Sequence, residues 1–169
     1  MQPMQKFRHC PSCGAALSRQ ANPLVCPSCS FKFFFNPTVA SGAFISNPNG
    51  ELLFIRRAKD PAKGMLGLPG GFIDIGENAE TGLMREIAEE VGLKVDNVRY
   101  LCSCPNEYNY QDVTYPVCDL IFTATATNPD EVQALDGVDG YEWRLLDSVT
   151  EAELAFPSMK MGLRLLQQS

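Results

Sequence analysis

From residue 38 onward, the hydrophobic and polar positions of the chain alternate between two periods. Thr38–Ile45 is an apolar-rich run that stops at Asn47-Pro48-Asn49-Gly50. Two such runs joined by a turn of this kind predict a β-hairpin, with Glu51–Arg57 as the partner strand. Residues 64–72 form a Gly/Pro-rich loop leading into a short extended piece. Over Ala79–Val91 the period changes: Leu83, Ile87 and Val91 fall on one helical stripe, Asn78 is placed to cap the start, and Gly92 to end it. Strands are predicted at 95–104 and 114–126 with a loop at 105–113 between them. After a Gly/Asp-rich loop at 128–140, Gly140–Leu146 reads as a last strand, and a final helix from about Ser158 turns Met159, Leu163 and Leu166 inward. Short strands mixed with a few helices give an α+β layered domain.

The first 36 residues follow neither period. They hold Cys10, Cys13, Cys26 and Cys29 as two Cys-Pro-Ser-Cys pairs with 12 residues between them. Each pair lets a tight turn aim two thiolates at one ion, and two such knuckles close a tetrahedral four-thiolate shell, the arrangement of a structural Zn²⁺. His9 adjoins Cys10 but four thiolates already complete the shell. A segment this short cannot fold on apolar burial alone, so the metal would carry its folding. It resembles a zinc ribbon. Phe31, Phe33, Phe34 and Phe35 follow, and an exposed aromatic run is costly, which predicts that they pack the ribbon onto the next domain. The expected division is therefore 1–36, ribbon, and 37–169, main domain.

Composition and charge narrow the function. Of 169 residues, 45% are hydrophobic, enough for a sizeable core, and no apolar run reaches the ~18 residues of a membrane span. The polar amino terminus shows no signal peptide, and seven cysteines, an odd number, do not suggest a disulfide framework; a reducing, cytoplasmic location is expected. The front segment has four of the 14 basic residues and none of the 20 acidic ones. An acidic body argues against nucleic acid as the partner and suits divalent cations, which take oxygen ligands.

Those oxygens are concentrated on the 79–91 helix. Glu86 lies three and four residues from Glu89 and Glu90, so the three carboxylates occupy neighbouring surface positions and repel one another. Mg²⁺ or Mn²⁺ removes that penalty. The surrounding stretch, GFIDIGENAETGLMREIAEEVGL from Gly71 to Leu93, resembles the Nudix box at every defined position across its 23 residues. The resemblance covers roughly residues 38–169. It implies a Nudix α/β/α sandwich around a mixed sheet and Mg²⁺-assisted hydrolysis of a nucleoside diphosphate linked to another moiety. It further implies that Glu86, Glu89 and Glu90 hold the cations, with Glu77 and Arg85 bracing the loop and helix.

The chemistry agrees, because a pyrophosphate is already highly charged and water attack on it needs cations that neutralise oxygen charge and acidify the water. Gly70 and Gly71 are expected to let backbone approach metals or phosphates, and Arg56 or Arg57 to face the phosphates. The general base is either Glu86 or a later carboxylate: Glu142, before Trp143 in a Glu-Trp pair similar to that of some triphosphate-cleaving members, or Asp136 or Asp139.

A ribbon ahead of such a domain is similar to the NADH pyrophosphatase arrangement. Of the Ser-Gln-Pro-Trp-Pro-Phe array of NADH cleavers, however, LCSCPNEYNYQDVTYP keeps only Ser103 and Pro105. Tyr110, 17 residues past Leu93, is placed as in diadenosine polyphosphate hydrolases and is a candidate for stacking on a base. The expected substrate is dinucleotide-like: ADP-ribose, NADH, FAD or a diadenosine polyphosphate, yielding a nucleoside monophosphate. The alternatives are a nucleoside triphosphate pyrophosphohydrolase, a ligand sensor on the same fold, or an RNA-cap-processing protein that binds through the ribbon. The expected partner is a small nucleotide, with no membrane and with a homodimer left open.

Overall fold

The computed structural model of the chain describes residues 1–18 and 21–168. Arg19, one of the four basic residues of the front segment, lies outside the described residues. The chain divides into two compact units, Met1–Thr38 with Glu107–Val117, and Val39–Asn106 with Cys118 onward.

In the first unit, β1 (Leu24–Val25) and β2 (Lys32–Phe33) pair antiparallel, with Leu24 opposite Phe33. The two cysteine pairs build the same turn twice. Cys10 N–H donates to the Ala15 carbonyl and Gly14 N–H to that of Cys10; Cys26 and Ser30 repeat the pattern with Phe31 and Cys26 as acceptors. The fifth position of each turn needs a positive φ, met by Gly14 (73°) and Ser30 (62°). Phe7, Phe33 and Phe35 pack on each other, with Phe35 edge-on to the other two at 5.0 Å, and Phe31 stacks on Phe33 at 6.5 Å. The hairpin tip at 107–117 belongs to this unit, where Thr114 N–H donates to the Met1 carbonyl and Thr38 Oγ1 to that of Pro116.

The second unit is built on a mixed sheet in the order β5 (Leu66–Gly67), β4 (Leu52–Arg57), β3 (Thr38–Ser46), β7 (Val113–Ala126), β6 (Val95–Tyr110), with β8 (Val138–Arg144) paired along β4. Buried on both faces, β3 and β4 read as near-continuous apolar runs. Alternation then sorts their side chains into two cores. Ala43, Ile45, Leu53, Ile55, Phe122 and Ala124 meet Leu83, Ile87 and Val91 of α1 (Ala79–Val91). Phe44, Phe54 and Ile121 meet Leu163 of α2 (Pro157–Gln167). One helix therefore covers each face, which is the α/β/α sandwich. Burying each of the three α1 side chains contributes about 1.5–3 kcal/mol, more than helix propensity supplies.

Helix α1 has its expected limits. Asn78 accepts from Thr81 N–H at 2.8 Å, and Gly92 ends the helix at φ 71°. The loop expected at 105–113 is instead strand: β6 continues to Tyr110 and β7 begins at Val113, leaving Gln111-Asp112 as the turn. Pro105, Asn106, Asn109 and Asp112 have loop-like composition, but a hairpin ladder holds the backbone extended regardless of which polar side chains it carries. The last strand starts and stops two residues earlier than expected, and α2 begins one earlier. No helix among the described residues is long and apolar enough to cross a membrane.

Candidate functional site

The strand-like segment 69–73 lies antiparallel to β3, with Ser41 N–H donating to Gly71 O and Ala43 N–H to Pro69 O. It delivers the chain to the loop before α1, and Arg85 of α1 ties that loop down. Arg85 makes two parallel hydrogen bonds to Glu77, Nε to Oε1 and Nη2 to Oε2, each 2.9 Å. Its Nη2 also donates to the Phe72 carbonyl at 3.2 Å. Such a fork fixes geometry as well as charge. The Glu77 carboxyl is held down at about 2 by this guanidinium and by the Asp74 N–H. Gly82 admits the loop against the helix, since a Cβ there would meet Ile73 Cδ1 at 2.8 Å and Glu77 Oε2 at 2.9 Å. The predicted brace of Glu77 and Arg85 is thus formed.

Each of the three helix carboxylates has a separate environment. Glu86 Oε1 accepts from Arg85 Nη1 at 2.8 Å, and Glu89, 56% exposed, receives the same nitrogen at 3.3 Å. Glu90 Oε2 accepts the Gly70 N–H at 2.9 Å. Burial pushes the Glu90 carboxyl up to about 8; the Gly70 N–H and Arg57 oppose this, while Glu86 and Asp136 add to it. A carboxyl in that range and a second carboxylate nearby are what a divalent cation would neutralise.

The two glycines make room for protein atoms. At φ 141°, a Cβ on Gly70 would strike the Ser41 carbonyl oxygen and lie 2.7 Å from Gly42 Cα. A Cβ on Gly71 would lie 2.5 Å from the Glu86 carboxylate carbon. Sequence reasoning missed Ser41. The residue is 5% exposed and its Oγ has no hydrogen-bond partner. The available signal was a lone polar residue in a strand whose next positions on the same face are Ala43 and Ile45.

The other candidates are less gathered. Arg56 donates to Glu142 Oε1 at 2.5 Å and to the Gly64 carbonyl at 2.8 Å, and Glu142 also receives Arg144 at 3.0 Å. Glu142 stands opposite Phe54, whose ring lies in the α2 core, so it shares the α2 face of the sheet. Arg57 donates to the Pro61 carbonyl at 2.9 Å and lies over the Phe156 ring at 4.8 Å. Asp136 is exposed beside Lys59 at 3.4 Å, and Asp139 is exposed on β8. Tyr110, 55% exposed, belongs to the first unit.

In that unit the Sγ atoms of Cys10, Cys13, Cys26 and Cys29 all lie within 4.8 Å of one another. The Cys10–Cys29 and Cys13–Cys26 separations are 3.8 and 3.7 Å, against roughly 3.8 Å for the edge of a tetrahedron with 2.3 Å Zn–S bonds. The N–H groups of Cys29 and Ser28 help to bring the Cys26 thiol down to about 6. Four thiols so placed fit a tetrahedral metal.

Residues 36–164 match the family model described as NUDIX domain. The chain is 33% identical over 132 residues to the mouse mitochondrial NAD(P)H pyrophosphatase NUDT13, covering 76% of this chain and 35% of that protein. It is 32% identical over 133 residues to the ADP-ribose pyrophosphatase of Methanocaldococcus jannaschii, covering 78% and 74%. It is 26% identical over 145 residues to the NAD-capped RNA hydrolase NudC of Pseudomonas aeruginosa, covering 84% and 49%. The chain thus spans about a third of the first relative and half of the last. Among solved structures, a NUDIX hydrolase of Nitrosomonas europaea superposes with a TM-score of 0.74 at 20% identity, over 96% of this chain and 94% of that one. The NUDIX domain of Shewanella oneidensis NrtR, complexed with ADP ribose, gives 0.65 at 23% identity, over 80% and 89%.

Proposed function

This chain belongs to the NUDIX domain family, and we propose that it is a divalent-cation-dependent pyrophosphohydrolase of dinucleotide-like substrates. It would cleave the diphosphate of ADP-ribose, NADH, FAD or a diadenosine polyphosphate and release a nucleoside monophosphate. The observation that carries this reading is the set of Glu86, Glu89 and Glu90 on one helix, fixed to its loop by the Arg85–Glu77 fork. The names of the mouse and archaeal relatives support the substrate class.

Glu86, Glu89 and Glu90 would hold Mg²⁺ or Mn²⁺, which supplies charge neutralisation for the diphosphate and lowers the pKa of a bound water. Arg85 and Glu77 keep the loop and helix in register. Glu86 is favoured over Glu142 as the group that takes the water proton, because Glu142 lies on the α2 face and is held by Arg56 and Arg144. Residues 1–36 are read as a ribbon holding one structural Zn²⁺ on Cys10, Cys13, Cys26 and Cys29, ahead of a hydrolase domain at 37–169. Four cysteines read as zinc ligands and three others, an odd total, suit a reducing compartment, the cytoplasm.

The test is product analysis across ADP-ribose, NADH, FAD, diadenosine tetraphosphate and the nucleoside triphosphates with Mg²⁺. Release of a nucleoside monophosphate from one of the first four, at the highest kcat/KM, is expected. A tenfold preference for a nucleoside triphosphate, about 1.4 kcal/mol of transition-state discrimination, would overturn the substrate assignment.

A further inference from the structure

Ser41 is buried, and its hydroxyl has no hydrogen-bond partner. Native interiors leave few such groups, and each one asks for a reason. Two independent placements show what the hydroxyl faces. Along β3, Ala43 and Ile45 lie in the α1 core, while a Cβ on Gly42 would touch Leu68 of the α2 core at 3.5 Å. Ser41 therefore projects to the α1 side. Across the ladder, the Ala40–Phe72 bridge puts Ser41 directly opposite Gly71, and the Ser41 N–H donates to the Gly71 carbonyl at 2.8 Å. Residues opposed in this way project to the same side with Cβ positions about 5 Å apart. On that side a Cβ on Gly71 would lie 2.5 Å from the Glu86 carboxylate carbon and from its Oε2. The orphan hydroxyl and the Glu86 carboxylate thus share one side of one cross-strand pair.

We propose that Ser41 is a positioning residue for Glu86: it donates its hydroxyl hydrogen to the Glu86 carboxylate once a divalent cation has drawn that carboxylate off Arg85. This rests on the reading of Glu86 as a cation ligand. Glu86 is presently engaged by Arg85 Nη1 through Oε1. A carboxylate that trades this partner for a cation needs its remaining lone pairs directed, and a hydroxyl donor to a carboxylate is among the stronger hydrogen bonds. The unpaired hydroxyl gains its partner when the cation binds, as for groups that orient metal ligands elsewhere.

The experiment titrates Mn²⁺ into the full-length, zinc-loaded protein, following the free Mn²⁺ signal by electron paramagnetic resonance, with melting measured in Mn²⁺-free buffer. Ser41→Ala is expected to weaken Mn²⁺ binding about tenfold and to melt no lower than the native protein, because it removes an unpaired polar group. In a Glu86→Gln background, Ser41→Ala should change Mn²⁺ affinity by less than about twofold. Native affinity in Ser41→Ala overturns the proposal, as does an equal loss in both backgrounds. Should alanine perturb the strand, Ser41→Cys keeps the shape with a far weaker donor; affinity below native supports the proposal and native affinity overturns it. Glu86→Gln separates the two readings. Native Mn²⁺ affinity there removes the carboxylate cation site itself, whereas weak binding by Glu86→Gln with native binding by Ser41→Ala removes only the role of Ser41.

Discussion

Replacing Gly70 and Gly71 by alanine, one at a time, should damage different properties of the protein although the residues are adjacent. On Gly70 the added methyl meets immovable backbone, the Ser41 carbonyl and Gly42 Cα at 2.7 Å, at a φ of 141° that alanine rarely adopts. Backbone strain of about 1–3 kcal/mol and overpacking of about 1–3 kcal/mol together give a loss of about 2–6 kcal/mol. At ~2–4 °C per kcal/mol for a chain of this size, melting should fall by at least about 4 °C. On Gly71 the methyl meets only the end of a side chain, the Glu86 carboxylate, at 2.5 Å. That group must retreat by about 1 Å to reach ordinary contact, which breaks its bond to Arg85 and displaces a side chain read as a cation ligand. The fold should lose less than about 1 kcal/mol, while kcat/KM falls about a hundredfold, equivalent to about 2.7 kcal/mol of transition-state stabilisation. Thermal melting and steady-state kinetics on the best substrate of the panel decide the matter. A Gly71→Ala protein that melts far below native with unchanged kcat/KM, or a Gly70→Ala protein that melts like native, would refute the reasoning.

Other consequences are equally open to measurement. Glu77 is held at about 2 against an ordinary value of 4.5, so its contribution to stability is complete above about 4.5 and is lost as pH falls toward 2. The melting difference between native protein and Glu77→Gln should therefore shrink as pH is lowered from about 5 to about 3, and a constant difference would contradict the assignment. Protein purified without added zinc should contain about one equivalent per chain, and Cys10→Ser with Cys29→Ser should lose it and make residues 1–36 susceptible to proteases. Leu83 is fully buried under α1, so Leu83→Ala should cost about 2–5 kcal/mol by denaturant titration. A loss below about 1 kcal/mol there would mean that α1 is not fastened as described.

What the sequence made legible was local. Asn78 and Gly92 bracket α1 because caps act within a few residues, and the cysteine spacing encodes its own turn twice. The extension of the hairpin through residues 105–113 was hidden, since only pairing with another strand keeps Asn106 or Asn109 in a ladder. The fate of Arg56 was hidden for the same reason. As a strand-end cation it reads as a phosphate ligand, yet β8 brings Glu142 to it from 86 residues away. Ser41 needed both the face of β3 and the register against Gly71, and neither is visible in a linear string.

The first unit is assembled from two separated pieces of chain, residues 1–38 and 107–117. During synthesis at ~5–20 residues per second, about 3 to 14 seconds pass between the emergence of the first piece and that of the second. Throughout that interval the four thiols have left the ribosome while the segment that hydrogen-bonds to Met1 and Thr38 has not yet emerged. β3, β4 and α1 are produced in between, so the cysteine-bearing piece of this unit waits for its second piece while those elements of the other unit are made.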